Sequence, residues 1–289
     1  MLYDFRIGKS RKPDRRCDPS EGYIGGKEDG MYIPAHFAAD PAVTSELLRQ
    51  QGAADLVTLT DRGLVATLLP FVYVPPADGA ESLGSLHGHL ARSNDQWKRP
   101  AAGESLVIVR GPDAYVSPGW YASTAEHGRV VPTWNYVTAH VYGRLVIHDD
   151  PGWTEDLVRR LTVKHEAGRA RPWRVDDAPP PYIEGQLRAI VGIELEITRI
   201  EAKAKLSQNR SEADVEGVIT GLRERGDQQL ADAVEQAARE LTPGRTRPGA
   251  VTGTSRPGAA PAGSAARARP PAAPPRLRPG SAARPRGRR

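Results

Sequence analysis

Two short apolar runs separated by three residues constrain this chain most. "DLVTLT" and "LVATLLPFVYV" flank Asp61, Arg62 and Gly63, and Gly63 is free to take positive φ. Strands joined by so tight a turn pair antiparallel, since a parallel pair needs a long crossover. Pro70 sits inside the second run and has no N–H to give a ladder. It requires an edge, a bulge or a close ligand approach there.

Further strand patterns follow at short spacing. "GSLHGHLARSNDQW" reads as a strand running into a turn opened by Ser93 or Asn94. "ESLVIVRGPDAYVSP" and "RVVPTWNYVTAHVYGRLVIHD" read as strands. "VGIELEITRIEAKAK" sets Ile193, Leu195 and Ile197 against Glu194 and Glu196, a period of two. Helices surround them. Asp40 and Pro41 open one that ends near Gly52. A second spaces Leu157, Leu161 and His165 four apart, and a pair lies either side of a Gly226-Asp227 turn. The expected class is mainly β with peripheral helices, a small antiparallel barrel. No βαβ alternation, G-x-G-x-x-G or phosphate-loop pattern occurs, which argues against a Rossmann fold.

Patterning stops abruptly at both ends. Residues 1–30 are polar, Gly-rich and aperiodic, and hold Cys17, the single cysteine. They are expected to be a disordered or non-native extension, with Met31 as the natural start. Residues 242–289 hold 10 of the 26 prolines and 11 arginines without one acid. So apolar-poor a tail cannot offset its ordering entropy and is expected to be disordered. It is either an arm gripping polyanions through counterion release or a solvated tail with no selected role. Without the two ends, the formal charge of +5 becomes about −7, from 22 basic and 29 acidic residues at 31–241. That region has no cysteine, which excludes disulfides and thiolate metal sites and suits a reducing cytoplasm. No run is long and apolar enough for a membrane span.

Three stretches carry candidate chemistry. His87 and His89 lie two apart on a strand and face one side. With His127, His140 and His148 they lack a carboxylate at ligand spacing, so no metal site is assigned. "YVSPGWYASTAEHGRVVPTWNYVTAHVYGRL" concentrates two tryptophans and four tyrosines in a chain only 6% aromatic. These rings fill a barrel wall or dimer face, or they meet a flat ligand through Trp134 and the Asn135 amide. "AKAKLSQNR" places Lys203 and Lys205 on one strand face, followed by Ser207, Gln208, Asn209 and Arg210. It is either a solvated strand end or a set of donors for a phosphate or ring carbonyls.

Six stretches in order, "MYIPAHF", "ATLLPF", "GSLHGHLARSNDQW", "GPDAYVSPGWY", "VPTWNYVTAHVYGRL" and "KLSQNR", resemble the PaiB family of FMN-binding split-barrel proteins, described as negative transcriptional regulators. The resemblance covers about residues 31–241. It implies a six-stranded Greek-key split barrel over 31–210, a helical pair over 211–241, a homodimer, and FMN in a cleft between the subunits. By the same resemblance Thr67, Leu69, His89, Arg92 and Asn94 are expected beside the flavin. Trp134, Asn135, Lys205, Gln208 and Arg210 complete the expected set, with Arg92, Lys205 and Arg210 as phosphate partners. Thr124 to His127 stand where family members often carry a Lys-rich turn. The implied function is FMN-linked transcriptional regulation, with an FMN-dependent oxidoreductase and a flavin- or haem-handling protein without turnover as the alternatives. The residues themselves support base reading poorly. The second helix of the terminal pair, "QQLADAVEQAARE", carries one Arg among several acids. DNA contact then falls to the Arg-rich tail, which grips without choosing sequence.

Overall fold

Pro70 decides how the sheet closes. In the computed structural model, which describes residues 30–99 and 101–241, β1 (Ala53–Thr60) and β2 (Gly63–Pro70) form the expected hairpin, with Gly63 at φ 101°. Phe71 then leaves the ladder. The chain resumes as β3 (Val72–Val74), which pairs with a different strand, β4 (Ser85–Ala91). The Phe71 carbonyl that lost its ladder partner accepts from Gln51 Nε2 at 3.1 Å and Lys164 Nζ at 2.9 Å. Burial pushes the Lys164 amine below its ordinary pKa. The expected extension and tail, at 1–29 and 242–289, lie outside the described residues.

The remaining strands are β5 (Ser105–Val116), β6 (Thr133–His148) and β7 (Ile190–Lys205). Across the sheet the order is β2-β1-β5-β6-β7-β4-β3, and every pair is antiparallel. Its two ends, β2 and β3, are halves of one run. The seven segments are therefore six strands of a barrel, closed covalently at Phe71. Counted this way, β5 returns beside β1 after β1, β2/β3 and β4 have followed in turn, which is a Greek key. Ladder pairing stops between β2 and the second half of β4. That seam makes it a split barrel.

Inward residues alternate along each strand. Leu56, Leu69, Phe71, Leu86, Val107, Val141, Ile193 and Leu195 form the barrel core with Leu48 of α1 (Pro41–Gln50). α1 starts as the sequence dictates: Asp40 Oδ1 accepts from Ala42 N at 2.7 Å, and Pro41 holds the first helical position. β6 and β7 run past this core, with a ladder irregularity at Tyr142/Gly143 that lets them coil. Their far ends meet a second core. There Val116, Tyr121, Val137 and Leu206 pack on Val215, Val218 and Leu222 of a helix, Glu212–Arg225, and on Leu230 and Val234 of the next, Gln228–Leu241. Gly226, at φ 90°, ends the first of these two helices. In chain order the other helices are α2 (Ser123–His127), α3 (Pro151–Glu166) and α4 (Pro180–Leu187), so the terminal pair are α5 and α6.

Among the described residues no helix covers one face of the barrel. Register brings Leu64 opposite Leu59, Ala66 opposite Val57 and Leu68 opposite Asp55. The row continues through Leu106 and Ile108 of β5 to Tyr142 and His140 of β6. Leu59, Leu64 and Leu68 are 47%, 75% and 66% exposed. A strand that is apolar on both faces expects cover on both.

Candidate flavin site

The seam is bridged by side chains. After β4 the chain turns at Asn94, whose side chain caps a short 3-10 turn, Asp95–Lys98, by accepting from Gln96 N at 2.9 Å. Asn94 Nδ2 donates to Thr67 Oγ1 on β2 at 3.1 Å, and Thr67 Oγ1 donates to Gln96 Oε1 at 2.6 Å. Gln96 is 1% exposed and donates through Nε2 to Leu56 O at 3.3 Å and Thr58 Oγ1 at 3.1 Å. The turn after β4 is thus pinned to β2 and β1, where backbone pairing is missing.

Arg92 lies just before this turn. Its guanidinium makes a two-pronged contact with Asp149, at 2.7 and 3.2 Å, and also donates to Arg188 O and Ile190 O. The hydrogen bond from Arg92 holds the Asp149 carboxyl below its ordinary pKa. Trp97 Nε1 donates to Arg92 O at 3.1 Å. His89 Nδ1 is buried with no hydrogen-bond partner among the described residues, and burial lowers the pKa of this ring. Leu69 is buried in the barrel core, so it forms the wall behind the seam and its side chain is closed to a ligand.

The other expected residues gather elsewhere. Trp134 is half exposed, donates Nε1 to Asp113 Oδ1 at 2.8 Å and stands edge-on to Tyr115 at 6.3 Å. Its neighbour Asn135 is buried and donates to Ser207 Oγ at 2.8 Å. Consecutive strand residues point to opposite faces, so these two do not approach one ring from the same side. Ser207 holds a left-handed φ of 67°, a cost that packing around "KLSQNR" must offset. Gln208 closes on its own backbone, donating to Ala204 O at 2.6 Å and accepting from Leu206 N at 2.7 Å. Lys205 Nζ donates to Thr133 Oγ1, and the Arg210 guanidinium lies 4.6 Å from the Tyr121 ring centre. These contacts tie the end of β7 and the residues after it to β6 and to Tyr121 in the connection between β5 and β6.

The expected residues therefore form two groups. Thr67, His89, Arg92 and Asn94 lie at the seam with Leu69 behind them. Trp134, Asn135, Lys205, Gln208 and Arg210 lie at the second core. Arg92 contacts Ile190, the first residue of β7, and Lys205 is the last of its 16 residues. At about 3.3 Å per residue the strand separates them by roughly 50 Å along its length. A cleft of about 1400 Å³ between α1 and α6 contains none of the ten residues.

Sequence reasoning missed Gln96, Asp149 and the exposed leucines. Gln96 had a signal, since a polar residue two after an Asn cap is where the capped N–H falls. The leucines had one too, because "LVATLLP" is apolar at both parities. Asp149 had none, because its pairing with Arg92 spans 57 residues. Among the described residues no group of three or more His, Cys, Asp or Glu is placed to hold a metal ion, and no helix is long and apolar enough to cross a membrane.

The architecture is thus a split barrel with a polar turn pinned across its seam and an open apolar face. Residues 31–199 match the family described as "Putative FMN-binding domain", beginning where the sequence patterning begins. "Protease synthase and sporulation protein PAI 2" of Bacillus subtilis is 33% identical over 215 residues, covering 73% of this chain and 99% of that protein. "Uncharacterized protein AN0679" of Emericella nidulans is 33% identical over 230 residues, 68% of this chain and 92% of that one. A structure of the FAD and heme binding protein from Mycobacterium smegmatis aligns at TM-score 0.42 and 16% identity, over 61% of this chain and 77% of that one. The chain belongs to the PaiB family of FMN-binding proteins, and FMN is its cofactor. The seam residues fit that group. Asn94 has a second amide hydrogen without a partner among the described residues, and exposed Ser93 precedes it.

Proposed function

We propose that the protein works as a homodimer that holds one FMN per chain where the two subunits meet. The observation that carries this reading is the uncovered apolar face of β2, β1, β5 and β6, which ends beside the seam turn. Pairing that face with a second copy removes the leucines from water. It also offers a route by which the second group of expected residues, with Trp134 and Lys205, reaches a flavin held at the partner's seam.

Regulation of the PaiB type would then act through the flavin-dependent state of this dimer. Base reading by α5 and α6 has little support. Leu230, Ala231 and Val234 of α6 are buried against the rest of the second core, and Arg223 of α5 is paired with Asp232 and Glu235. An FMN-dependent oxidoreductase is the second reading, favoured by His89. It is a partly buried imidazole three residues before Arg92, with no partner for Nδ1 among the described residues, and a candidate proton donor to a substrate being reduced.

The test is the visible spectrum of the purified protein, followed by anaerobic addition of NADH or NADPH. A bound flavin band supports the shared core of both readings. Bleaching by a nicotinamide favours the oxidoreductase, and a stable oxidised band favours the regulator. Protein that neither retains FMN nor takes it up contradicts both.

A further inference from the structure

The hydrogen-bond ring at the seam has a fixed direction, and that direction decides what Asn94 offers a ligand. The backbone N–H of Gln96 only donates, so the Asn94 atom 2.9 Å away is the carbonyl oxygen. Leu56 O only accepts, so the Gln96 atom 3.3 Å from it is the amide nitrogen, and Gln96 Oε1 faces Thr67. The Thr67 hydroxyl must give its one hydrogen to that oxygen. One of its lone pairs then accepts from Asn94 Nδ2, which uses one hydrogen there and keeps the other. Every orientation follows from two backbone groups whose roles cannot reverse.

We infer that Thr67 and Gln96 are positioning residues which lock the Asn94 amide with N–H outward, so that the seam accepts an acceptor oxygen of FMN and rejects a donor. This rests on the proposed flavin site. Thr67 spends its only hydrogen within the ring and has none left to donate to the cofactor. Gln96 is buried and acts through Thr67 and the turn backbone. The acceptor oxygen belongs either to the phosphate or to a ring carbonyl of the flavin, which share this chemistry.

The experiment compares FMN and riboflavin binding by fluorescence titration for wild type, Thr67→Val and Thr67→Ser, each checked by thermal melting. Valine keeps the shape and removes the hydroxyl, so the Asn94 amide keeps its bond from the Gln96 N–H but is no longer held at its nitrogen. Thr67→Val should weaken FMN by roughly tenfold or more, as expected when a buried polar partner is lost. Thr67→Ser restores the hydroxyl and should return FMN affinity to near wild type. If riboflavin binding is unchanged in Thr67→Val, the oxygen is on the phosphate. If riboflavin weakens equally, it is on the ring. A folded Thr67→Val that binds FMN like wild type overturns the inference while leaving the flavin site standing. So does Thr67→Ser failing as badly as valine. Wild-type protein that binds no FMN overturns the proposed flavin site, and the inference with it.

Discussion

Leu68→Glu should convert the proposed dimer to monomers. Leu59, Leu64 and Leu68 together leave the surface of about two leucine side chains in water. Full burial of a leucine contributes about 1.5–3 kcal/mol, so the three supply roughly 3–6 kcal/mol per protomer on pairing. Leu68 accounts for about a third of this, roughly 1–2 kcal/mol, and twofold symmetry counts it twice. Losing roughly 2–4 kcal/mol raises the dimer dissociation constant roughly thirty- to a thousandfold. Desolvating the new carboxylate, which register places opposite Asp55, adds to that loss. Light scattering over a concentration series reads the constant directly. Val163→Gln is the control, because Val163 is 71% exposed on α3, away from this face. A Leu68→Glu protein that dimerises as tightly as wild type would refute the assignment, and so would equal weakening by both substitutions.

Asp214→Ala should destabilise the fold by roughly 2–4 kcal/mol, because it strands the backbone N–H and hydroxyl of Ser123, each 2.9 Å from the carboxylate; denaturant melts check this, and an unchanged midpoint would contradict it. Mild acid should also destabilise the protein. Burial lowers the pKa of His87, His89 and His140, so the unfolded chain takes up protons first as pH falls below about 6.5. Burial raises the carboxyls of Glu194 and Asp214, but hydrogen bonds from His148 and Ser123 outweigh it and leave both below their ordinary pKa. Their contribution is therefore present above the unfolded carboxylate pKa and is lost as pH falls through the folded one. Melting temperature should drop from pH 7 to pH 5 and again below about pH 4, and a flat profile would show the histidine burial misread. Trp134→Ala should change the fluorescence of bound FMN more than its affinity, since an indole meets a ring and not a phosphate; unchanged fluorescence would place Trp134 outside the site.

The strands were legible because the barrel buries one face of each, and burial writes a period of two into Ile193, Leu195 and Ile197. Caps were legible at Asp40, Asn94 and Gly226 because a local backbone demand selects the residue type. Pro70 announced an interruption, and its consequence, one run serving as both ends of the sheet, needed the pairing of β3 with β4. The site was legible in part. "HLARSN" marked the seam turn, but Gln96 acts by closing a ring with Thr67 from 29 residues away. "PTWN" looked like one constellation because adjacency in sequence hides alternation in a strand, which sends Trp134 and Asn135 to opposite faces. "KLSQNR" left a solvated strand end and a set of donors equally open, and sequence alone could not show that Gln208 and Arg210 have partners within the chain.

Sedimentation velocity, followed by the flavin's own visible absorbance, tests the central claim most directly. Wild-type protein loaded with FMN should carry that absorbance in one boundary of twice the 31.3 kDa chain mass, at one flavin per chain. Flavin left behind as a free small molecule, or travelling with a single chain, would contradict a cofactor held where two subunits meet.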